Sequence, residues 1–292
     1  MNALELTAPA SNILLRNHEK NWVQLSGHEG SFAMAGPGTI WKRRCETEAA
    51  AYHALMAAGE AMRDLVPRLY RDVCFDGQHF LELQDLLAEF SHSAAVMDIK
   101  LGSRTFLESE VQNFTPRPDL YNKLIAVDPT YPTPEEHADK AVTKLRYMQF
   151  RDNLSSSSSL GFRVQGYRLP HSTDTVCHTL KTVRHQSQVE SVLKDFLAPS
   201  PAGVRDLLLA QLKELETCFQ ASAFFSNREV IGSSLLLIYD SSGKAGVWLI
   251  DFAKTQELPA GMRSVNHRSP WKLGNHEDGF LQGLDNLISM LL

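Results

Sequence analysis

The chain lacks the features of membrane proteins, zinc proteins and disulfide-bonded secreted proteins. No apolar run approaches the roughly 18 residues of a membrane-spanning helix, and no charged-then-apolar leader is found, so we expect no signal peptide. The four cysteines include no C-x-x-C pair, and the eleven histidines form no H-x-x-H or H-E-x-x-H motif. Widely spaced thiols are typical of a reducing compartment, which favours a cytoplasmic protein.

Common nucleotide-binding signatures are also missing. The 292 residues contain neither G-x-x-x-x-G-K-[ST] nor H-R-D, which excludes an ordinary P-loop or protein-kinase ATP site. The formal net charge is −5, so no overall positive field attracts nucleic acid or an acidic membrane. A polyanionic ligand would therefore require a local cluster of cations.

Two oppositely charged residues lie in an apolar run that predicts a strand, Val96-Met97-Asp98-Ile99-Lys100-Leu101-Gly102. Side chains alternate along a strand, so Asp98 and Lys100 point to the same face. A carboxylate beside an ammonium suits a site that holds a hydroxyl and a phosphate together. Taken alone, the pair is more typical of two solvated charges at a strand edge.

Another carboxylate ends a predicted hairpin near the C-terminus. The apolar runs 233–239 and 247–252 flank turn residues that include two glycines. Asp251 falls where the second run ends. A buried strand rarely ends on aspartate without a turn, a cap or a metal to explain it, and all three remain open for Asp251.

The N-terminal third predicts an arrangement that suits a nucleotide. Residues 22–25 and 39–43 are predicted strands on either side of a glycine-rich loop, 26–38. The backbone of such a loop can approach phosphates closely, although a plain surface hairpin is the alternative. Lys42 lies in the second strand, and the helix predicted next carries Glu48. A strand lysine oriented by a helix carboxylate can hold a phosphate group.

A basic helix is predicted over 135–150. At helical spacing, one face carries Lys144, Tyr147, Met148 and Arg151. From residue 139 to 152 there are four basic residues against two acidic ones, in a chain that is acidic overall. Several cations on one rigid element suit a phosphorylated ligand. Arg146 lies off this face and is expected to be solvated.

Six segments in this order resemble the signatures of a known enzyme family. Asp98-Ile99-Lys100-Leu101-Gly102, Ile231-Gly232-Ser233-Ser234-Leu235-Leu236 and Ile250-Asp251-Phe252-Ala253-Lys254-Thr255 resemble those of the inositol polyphosphate kinases. The resemblance extends from about residue 21 to the C-terminus. Resemblance to the inositol 1,4,5-trisphosphate 3-kinase branch is specific in Ala126-Val127-Asp128-Pro129, in residues 141–149 and in Leu160-Gly161-Phe162-Arg163.

The resemblance implies an α+β fold with two lobes, ATP between them, and a helical insert over the inositol. The implied boundaries are a loose segment at 1–20, an ATP-binding lobe at 21–86, a catalytic lobe at 87–104 and 171–292, and the insert at 105–170. The implied reaction transfers the γ-phosphate of ATP to the 3-hydroxyl of inositol 1,4,5-trisphosphate and gives inositol 1,3,4,5-tetrakisphosphate.

The resemblance also implies roles for individual residues. Asp98, Lys100 and Asp251 are the expected catalytic residues, and Asp251 is the expected ligand of Mg²⁺, or of Mn²⁺ as the alternative metal. Asp98 either binds the ribose or accepts the hydroxyl proton. ATP is expected to contact Ser31, Lys42, Gln84, Asp85, Leu86, Asp98, Arg168 and Asp251. The trisphosphate is expected to contact Lys100, Arg117, Lys144, Tyr147, Met148, Arg151 and Lys254.

Some positions depart from the family pattern. Ala94 and Leu145 stand where proline is frequent, and Ala253 stands where glycine is common, but none of these changes removes a charge. In some relatives, the segment matching 113–125 is a basic calmodulin-binding helix. Here residues 119–125 hold one lysine and one aspartate, which makes calmodulin a weak candidate partner.

Two other interpretations compete with this one. A broader inositol polyphosphate multikinase or a hexakisphosphate kinase would share the D-x-K and Ser-Ser-Leu-Leu motifs, but the long insert with Lys144 and Arg151 disfavours both. A non-catalytic phosphoinositide- or calmodulin-binding module would not need Lys42, Lys100 and Asp251 together. We expect a monomeric enzyme that binds no nucleic acid and has no membrane span.

Overall fold

A four-stranded antiparallel sheet forms the first part of the fold. The computed structural model of the protein describes residues 32–292 except 58–59, 92, 173, 177–179 and 181. The elements of this part are β1 (Phe32–Gly36), β2 (Thr39–Arg43), α1 (Glu46–Ala57), α2 (Glu60–Arg63), β3 (Leu69–Phe75) and β4 (Gln78–Gln84). The strands pair in the order β1-β2-β4-β3, and α1 packs against β3.

The predicted helix that carries Glu48 is confirmed, but the predicted glycine-rich loop is wrong over its second half. β1 occupies residues 32–36 and pairs with β2 across a tight turn. Gly38 in this turn has a φ of +74°, which glycine adopts without steric cost, so strand pairing resumes at once. The predicted strand at 22–25 and the residues 26–31 lie outside the described residues.

A second antiparallel sheet carries the strands of the predicted site. Its strands are β5 (Ala95–Leu101), β6 (Phe162–Arg168), β8 (Ser234–Tyr239) and β9 (Ala245–Ile250), in the order β6-β5-β8-β9. β7 (Arg228–Ile231) and β10 (Lys254–Glu257) form a separate ribbon. The helices of this part are α8 (Gln186–Leu197), α9 (Val204–Ala221), α10 (Ala223–Ser226) and α11 (Phe280–Leu291). The predicted strand at Asp98 and the hairpin before Asp251 are confirmed.

The two faces of the second sheet differ in chemistry. On the core face, Met97, Ile99 and Leu237 are at most 1% exposed, and α9 and α11 cover this side of the sheet. The alternate residues of β5 point to the opposite side, which we name the cleft face. Asp98 and Lys100 therefore lie on the cleft face, as predicted.

Five helices connect β5 to β6 and form an insert. They are α3 (Glu108–Val111), α4 (Pro118–Ile125), α5 (Pro134–Asp139), α6 (Lys144–Asn153) and α7 (Ser157–Leu160). Leu120, Leu124 and Phe150 belong to a buried cluster separate from the main core. The predicted end of the insert at residue 170 is too late, because β6 pairs with β5 along its length and belongs to the second sheet.

The helix predicted over 135–150 is two helices. α5 ends before Lys140, whose φ of +48° cannot continue a right-handed helix. Thr143 then caps α6, since its side chain accepts a hydrogen bond from the Arg146 amide at 3.2 Å. Leu145 lies in the first turn of α6, where proline is tolerated, so either residue type fits this position.

Buried charges fix the root of the insert to the C-terminal segment. Arg104, 2% exposed, lies 2.6 Å from Glu229 and donates to carbonyl oxygens of residues 276 and 277. Glu108 accepts hydrogen bonds from Trp271 Nε1 and from amides of residues 274 and 276 at 2.8–2.9 Å. Breaking such buried pairs is costly, so the insert begins from a rigid base. No helix of the described residues is long and apolar enough to cross a membrane.

A buried histidine should make stability depend on pH. His267 Nδ1 lies 2.8 Å from Oδ2 of the fully buried Asp278. Burial alone would lower the pKa of His267, but the hydrogen bond and charge of Asp278 outweigh it, and the pKa is raised. The stabilisation is therefore complete below about pH 6.5 and is lost as the pH rises through the folded value.

We accordingly expect the urea midpoint of unfolding to fall between about pH 6 and pH 8.5 in the wild type, and to fall less in His267→Gln. His79→Gln, at an exposed histidine, is the control and should keep the wild-type slope. Equal slopes for wild type and His267→Gln would contradict the assignment.

Candidate active site

Three charged side chains from distant parts of the chain meet between the two sheets. Lys42 Nζ on β2 lies 2.6 Å from Glu48 Oε1 of α1 and 2.6 Å from Asp251 Oδ1, which follows β9. Burial alone would lower the pKa of Lys42, but the charges of Asp251 and Glu48 raise it above its ordinary value. The predicted contact between Lys42 and Glu48 is confirmed, and Asp251 joins the first sheet to the second.

The backbone holds Asp251 in an unusual conformation. Its φ is +67°, in the left-handed region that few residues other than glycine, asparagine and aspartate adopt. Ser233 Oγ donates to the carbonyl oxygen of Asp251 at 2.7 Å, and the amide of Phe252 donates to Glu48 Oε1 at 3.2 Å. These bonds fix the turn, which leaves the Asp251 carboxylate 33% exposed. Strained positions of this kind cluster at functional sites.

Lys100 lies among charges from several elements. Burial lowers its pKa, and the charges of Arg163 and Lys254 act in the same direction, whereas Asp98 and Asp251 oppose them. Asp98 is 2% exposed on the same strand face. The charges of Asp98 and Asp251 therefore both act on Lys100, which connects the three predicted catalytic residues electrostatically.

A register shift in β6 places two arginines on the cleft face. Asp98 pairs with Gly166, but Ile99 pairs with Val164, so one extra residue of β6 is accommodated there. Lys100 consequently stands opposite Arg163, and the other end of β6 places Arg168 opposite residue 96. Arg168 donates to the Ala94 carbonyl at 3.2 Å, and burial lowers its pKa.

Apolar residues cover the end of the cleft face nearest Arg168. Leu86, Phe90 and Val96 are buried together, and Leu236 and Trp248 pack against them. This cluster lies beside the turn after β4, where adenine contacts are predicted. Concave apolar surfaces with a few convergent polar groups are typical of small-molecule sites.

The three predicted adenine-facing residues differ in what they can offer. The amides of Gln84 and Asp85 are used in hydrogen bonds to the carbonyls of Arg68 and Gly38, both at 2.9 Å. Burial raises the pKa of Asp85, although its carboxylate accepts the Leu87 amide at 3.0 Å. Neither backbone group of Leu86 bonds to another described residue, so both groups are available for a hydrogen bond to a ligand.

A carboxylate of the insert bridges two of the predicted substrate-binding lysines. Glu110 Oε2 lies 2.7 Å from Lys254 Nζ at the start of β10, and Glu110 Oε1 lies 3.7 Å from Lys144 Nζ. Burial would raise the pKa of Glu110, but these lysines lower it. Sequence analysis missed Glu110, because no spacing rule links α3 to β10.

The rest of the predicted α6 face is partly in place. Arg151 is exposed and Met148 half-buried, but Tyr147 packs partly on the insert's own cluster. Arg146 is off this face as predicted, but its side chain is half-buried and has partners in the insert rather than being fully solvated. It lies 2.9 Å from Glu136 and stacks over the Tyr131 ring, which ties α6 to α5.

Arg117 is not brought into contact with the other site residues. Its guanidinium pairs with Asp119 at 2.7 Å and is 49% exposed, although its backbone bridges to Val142 near the start of α6. Ser31 lies outside the described residues.

Asp251 is the predicted metal ligand. In the described part of the chain, no group of three or more histidine, cysteine, aspartate or glutamate side chains could hold a metal by itself. A carboxylate that is one-third exposed fits a Mg²⁺ that takes one or two protein oxygens and otherwise binds phosphates and water.

Comparison with known proteins then identifies the family. The family model for inositol polyphosphate kinase matches residues 80–292, nearly three quarters of the chain. The chain belongs to the inositol polyphosphate kinase family. Residues 98–102, 231–236 and 250–255, which resemble the family motifs, supply the charged end of the cleft face and the Ser233 bond that fixes Asp251.

Similar proteins extend the match toward the N-terminus. Inositol-trisphosphate 3-kinase C of Mus musculus is 45% identical over 96% of this chain and 41% of its own length. The inositol-trisphosphate 3-kinase homolog of Caenorhabditis elegans is 42% identical over 100% of this chain and 59% of its own length. Inositol-trisphosphate 3-kinase A of Rattus norvegicus is 47% identical over 93% of this chain and 59% of its own length. The chain thus spans about half the length of these relatives.

Two solved structures confirm the predicted α+β inositol polyphosphate kinase fold. An inositol phosphate multikinase from S. cerevisiae, in complex with ADP and Mn²⁺, has a TM-score of 0.57 at 17% identity and covers 87% of this chain and 97% of its own. A second inositol phosphate multikinase has a TM-score of 0.54 at 22% identity and covers 84% of this chain and 98% of its own.

Proposed function

We propose that this kinase transfers the γ-phosphoryl group of ATP to the 3-hydroxyl of inositol 1,4,5-trisphosphate. Relatives that match nearly the whole chain at 42–47% identity are named inositol-trisphosphate 3-kinases. The observation that carries the proposal is the chain of charges from Lys42 and Asp251 through Lys100 to Lys254 and the insert. Such a chain can hold a donor and an acceptor that are both densely phosphorylated.

The nucleotide would lie along the cleft face. The apolar cluster around Leu86 suits the adenine ring, and Arg168 and Lys42 supply positive charge toward the triphosphate. The structurally similar multikinase of S. cerevisiae is in complex with ADP, which is consistent with a nucleotide ligand for this fold. Gln84 and Asp85 then act by shaping the turn, and a contribution of Ser31 stays a prediction.

A divalent metal would be held by Asp251 together with the nucleotide phosphates. When bound, Mg²⁺ or Mn²⁺ would neutralise phosphate charge. Lys42 already contacts Asp251 Oδ1, so the same carboxylate can connect the phosphate-binding lysine with the metal. Glu48 fixes the other side of Lys42.

The acceptor would be positioned by the insert. The cations available for its phosphates are Lys144, Arg151 and Lys254. Tyr147 and Met148 lie on the same helix, α6, and the backbone of Arg117 forms a bridge just before that helix begins. The charges of Asp251 and Lys254 both act on Lys100, so Lys100 would contact the donor and acceptor phosphates at once. Asp98 lies beside it, where it would bind ribose or accept the hydroxyl proton. Phosphoryl transfer depends mainly on this kind of positioning and charge neutralisation.

The proposal is tested by incubating the protein with Mg-ATP and a panel of inositol phosphates and then identifying the product isomers. Inositol 1,4,5-trisphosphate should give one tetrakisphosphate, with the new phosphate on the 3-position. A new phosphate on another position would favour the multikinase interpretation, and no transfer to any member would favour a binding module.

The two substrates should respond separately to mutation of α6. Lys144→Ala and Arg151→Ala should each raise KM for the trisphosphate about tenfold, since a charge-assisted contact is lost, and leave KM for ATP nearly unchanged. Lys123→Ala removes an exposed lysine of the same insert and serves as the matched control. A parallel rise in KM for ATP would show that these residues are wrongly placed.

A further inference from the structure

Two cations face each other across adjacent strands of the cleft face. In the antiparallel pair of β5 and β6, Lys100 stands directly opposite Arg163. Side chains in such positions have Cβ atoms about 4.5–5.5 Å apart, and like charges there are destabilising. Burial and the charge of Arg163 lower the pKa of Lys100, and burial and the charge of Arg151 lower the pKa of Arg163, while the charge of Asp98 opposes both shifts. Two partly buried cations on one strand face suit an anionic ligand.

The neighbours of Arg163 leave most of its donors available. Its Nε donates to Gln165 Oε1 at 3.2 Å, the one side-chain hydrogen bond it makes within the described part of the chain. Asp152 is the opposite charge that acts most strongly on Arg163, and Asp98 adds to it, but both oxygens of Asp152 accept hydrogen bonds from Thr105, at 2.6 and 3.1 Å. Arginine keeps its charge even when burial lowers its pKa, so a guanidinium fork remains for a ligand.

The position of Arg163 indicates which ligand it would meet. Arg163 is the second residue of β6, next to the end of the insert, and the charge of Arg151 on α6 acts on it. Arg168 lies at the other end of β6, about 13 Å away, because the two arginines stand opposite residues 100 and 96 of β5. Arg163 is therefore at the acceptor end of the cleft face, with Lys100 and Arg151 as neighbouring cations.

We propose that Arg163 binds a phosphate group of the inositol polyphosphate acceptor, together with Lys100. This inference rests on the proposed function and adds a residue to the acceptor site. An arginine fork can hold two oxygens of one phosphate, which fixes its orientation as a lysine cannot. Because Arg163 lies on a sheet strand rather than on the insert, it would fix that phosphate relative to Lys100.

The test compares Arg163→Gln, Arg163→Lys and the wild type by calorimetry, with inositol 1,4,5-trisphosphate and with ATP as separate ligands. Arg163→Gln should raise the Kd for the trisphosphate at least about tenfold and change the Kd for ATP less than about twofold. The Kd of Arg163→Lys for the trisphosphate should lie between those of the wild type and Arg163→Gln, because lysine keeps the charge but lacks the planar fork of donors. Lys213→Gln, an exposed charge on α9, should match the wild type.

Unchanged trisphosphate affinity in Arg163→Gln would overturn the inference, and so would equal weakening of both ligands together with a lower Tm. If Arg163→Gln does not fold, the test uses Arg163→Lys: a higher Kd for the trisphosphate with an unchanged Kd for ATP supports the inference, and unchanged values for both ligands overturn it. Binding without turnover keeps the two proposals distinct: a wild type that binds the trisphosphate through Arg163 but does not phosphorylate it would refute the proposed function alone.

Discussion

Asp251→Asn is expected to lower kcat by about two orders of magnitude or more. The amide keeps the shape of the side chain but loses the charge that would hold a divalent metal and pair with Lys42. Asparagine tolerates a positive φ, so the turn at +67° should survive. Lys42 also keeps its contact with Glu48. The loss should therefore appear in turnover rather than in folding, as measured by steady-state kinetics at saturating Mg²⁺ and by thermal unfolding.

A second carboxylate in the same hairpin supplies the matched control. Asp240, 4% exposed, accepts hydrogen bonds from Ser242 and from the Ser91 amide at the far end of the two strands. Asp240→Asn should lower Tm while leaving kcat nearly unchanged. If Asp251→Asn keeps more than about a third of wild-type kcat, Asp251 is not the principal metal ligand.

The sequence predicts the parts of this fold in which local pattern and tertiary role agree. The strand at Asp98, the hairpin before Asp251 and the helix that carries Glu48 follow from alternation, turn residues and helical spacing. Gly36 at the end of β1 and the neighbouring turn with Gly38 hide this strand in the sequence. The split between α5 and α6 depends on a left-handed Lys140 that no periodicity reveals.

The site residues also divide into those that local sequence predicts and those that depend on tertiary structure. Motif resemblance places Lys42, Lys100 and Asp251, whose chemistry is tied to short segments. Glu110 and Arg163 escape such reasoning, since the role of each depends on a partner brought near by the sheet or the insert. Arg163 was within a quoted motif, but only the register shift in β6 shows that it faces Lys100.

Replacing residues 113–153 with a flexible linker of about ten glycine and serine residues should abolish tight trisphosphate binding and preserve ATP binding. This segment contains α4, α5 and α6, whose buried cluster is separate from the main core, so its removal leaves that core covered. The ends can be joined because α3 and α6 are in contact. α3 is retained because Glu108 anchors the root of the insert, and β6 is retained because it is a strand of the second sheet.

The same segment should determine which form of the phosphorylated headgroup is accepted. A cation-lined insert over the inositol can exclude a lipid whose tail remains in a membrane, even though its headgroup carries similar phosphates. The intact protein should phosphorylate the soluble trisphosphate and ignore phosphatidylinositol 4,5-bisphosphate in vesicles. Arg151→Ala, with the insert intact, should weaken trisphosphate binding without abolishing it. If the intact protein phosphorylates the vesicle lipid as well as the free headgroup, the insert does not select by shape, and the multikinase interpretation is favoured.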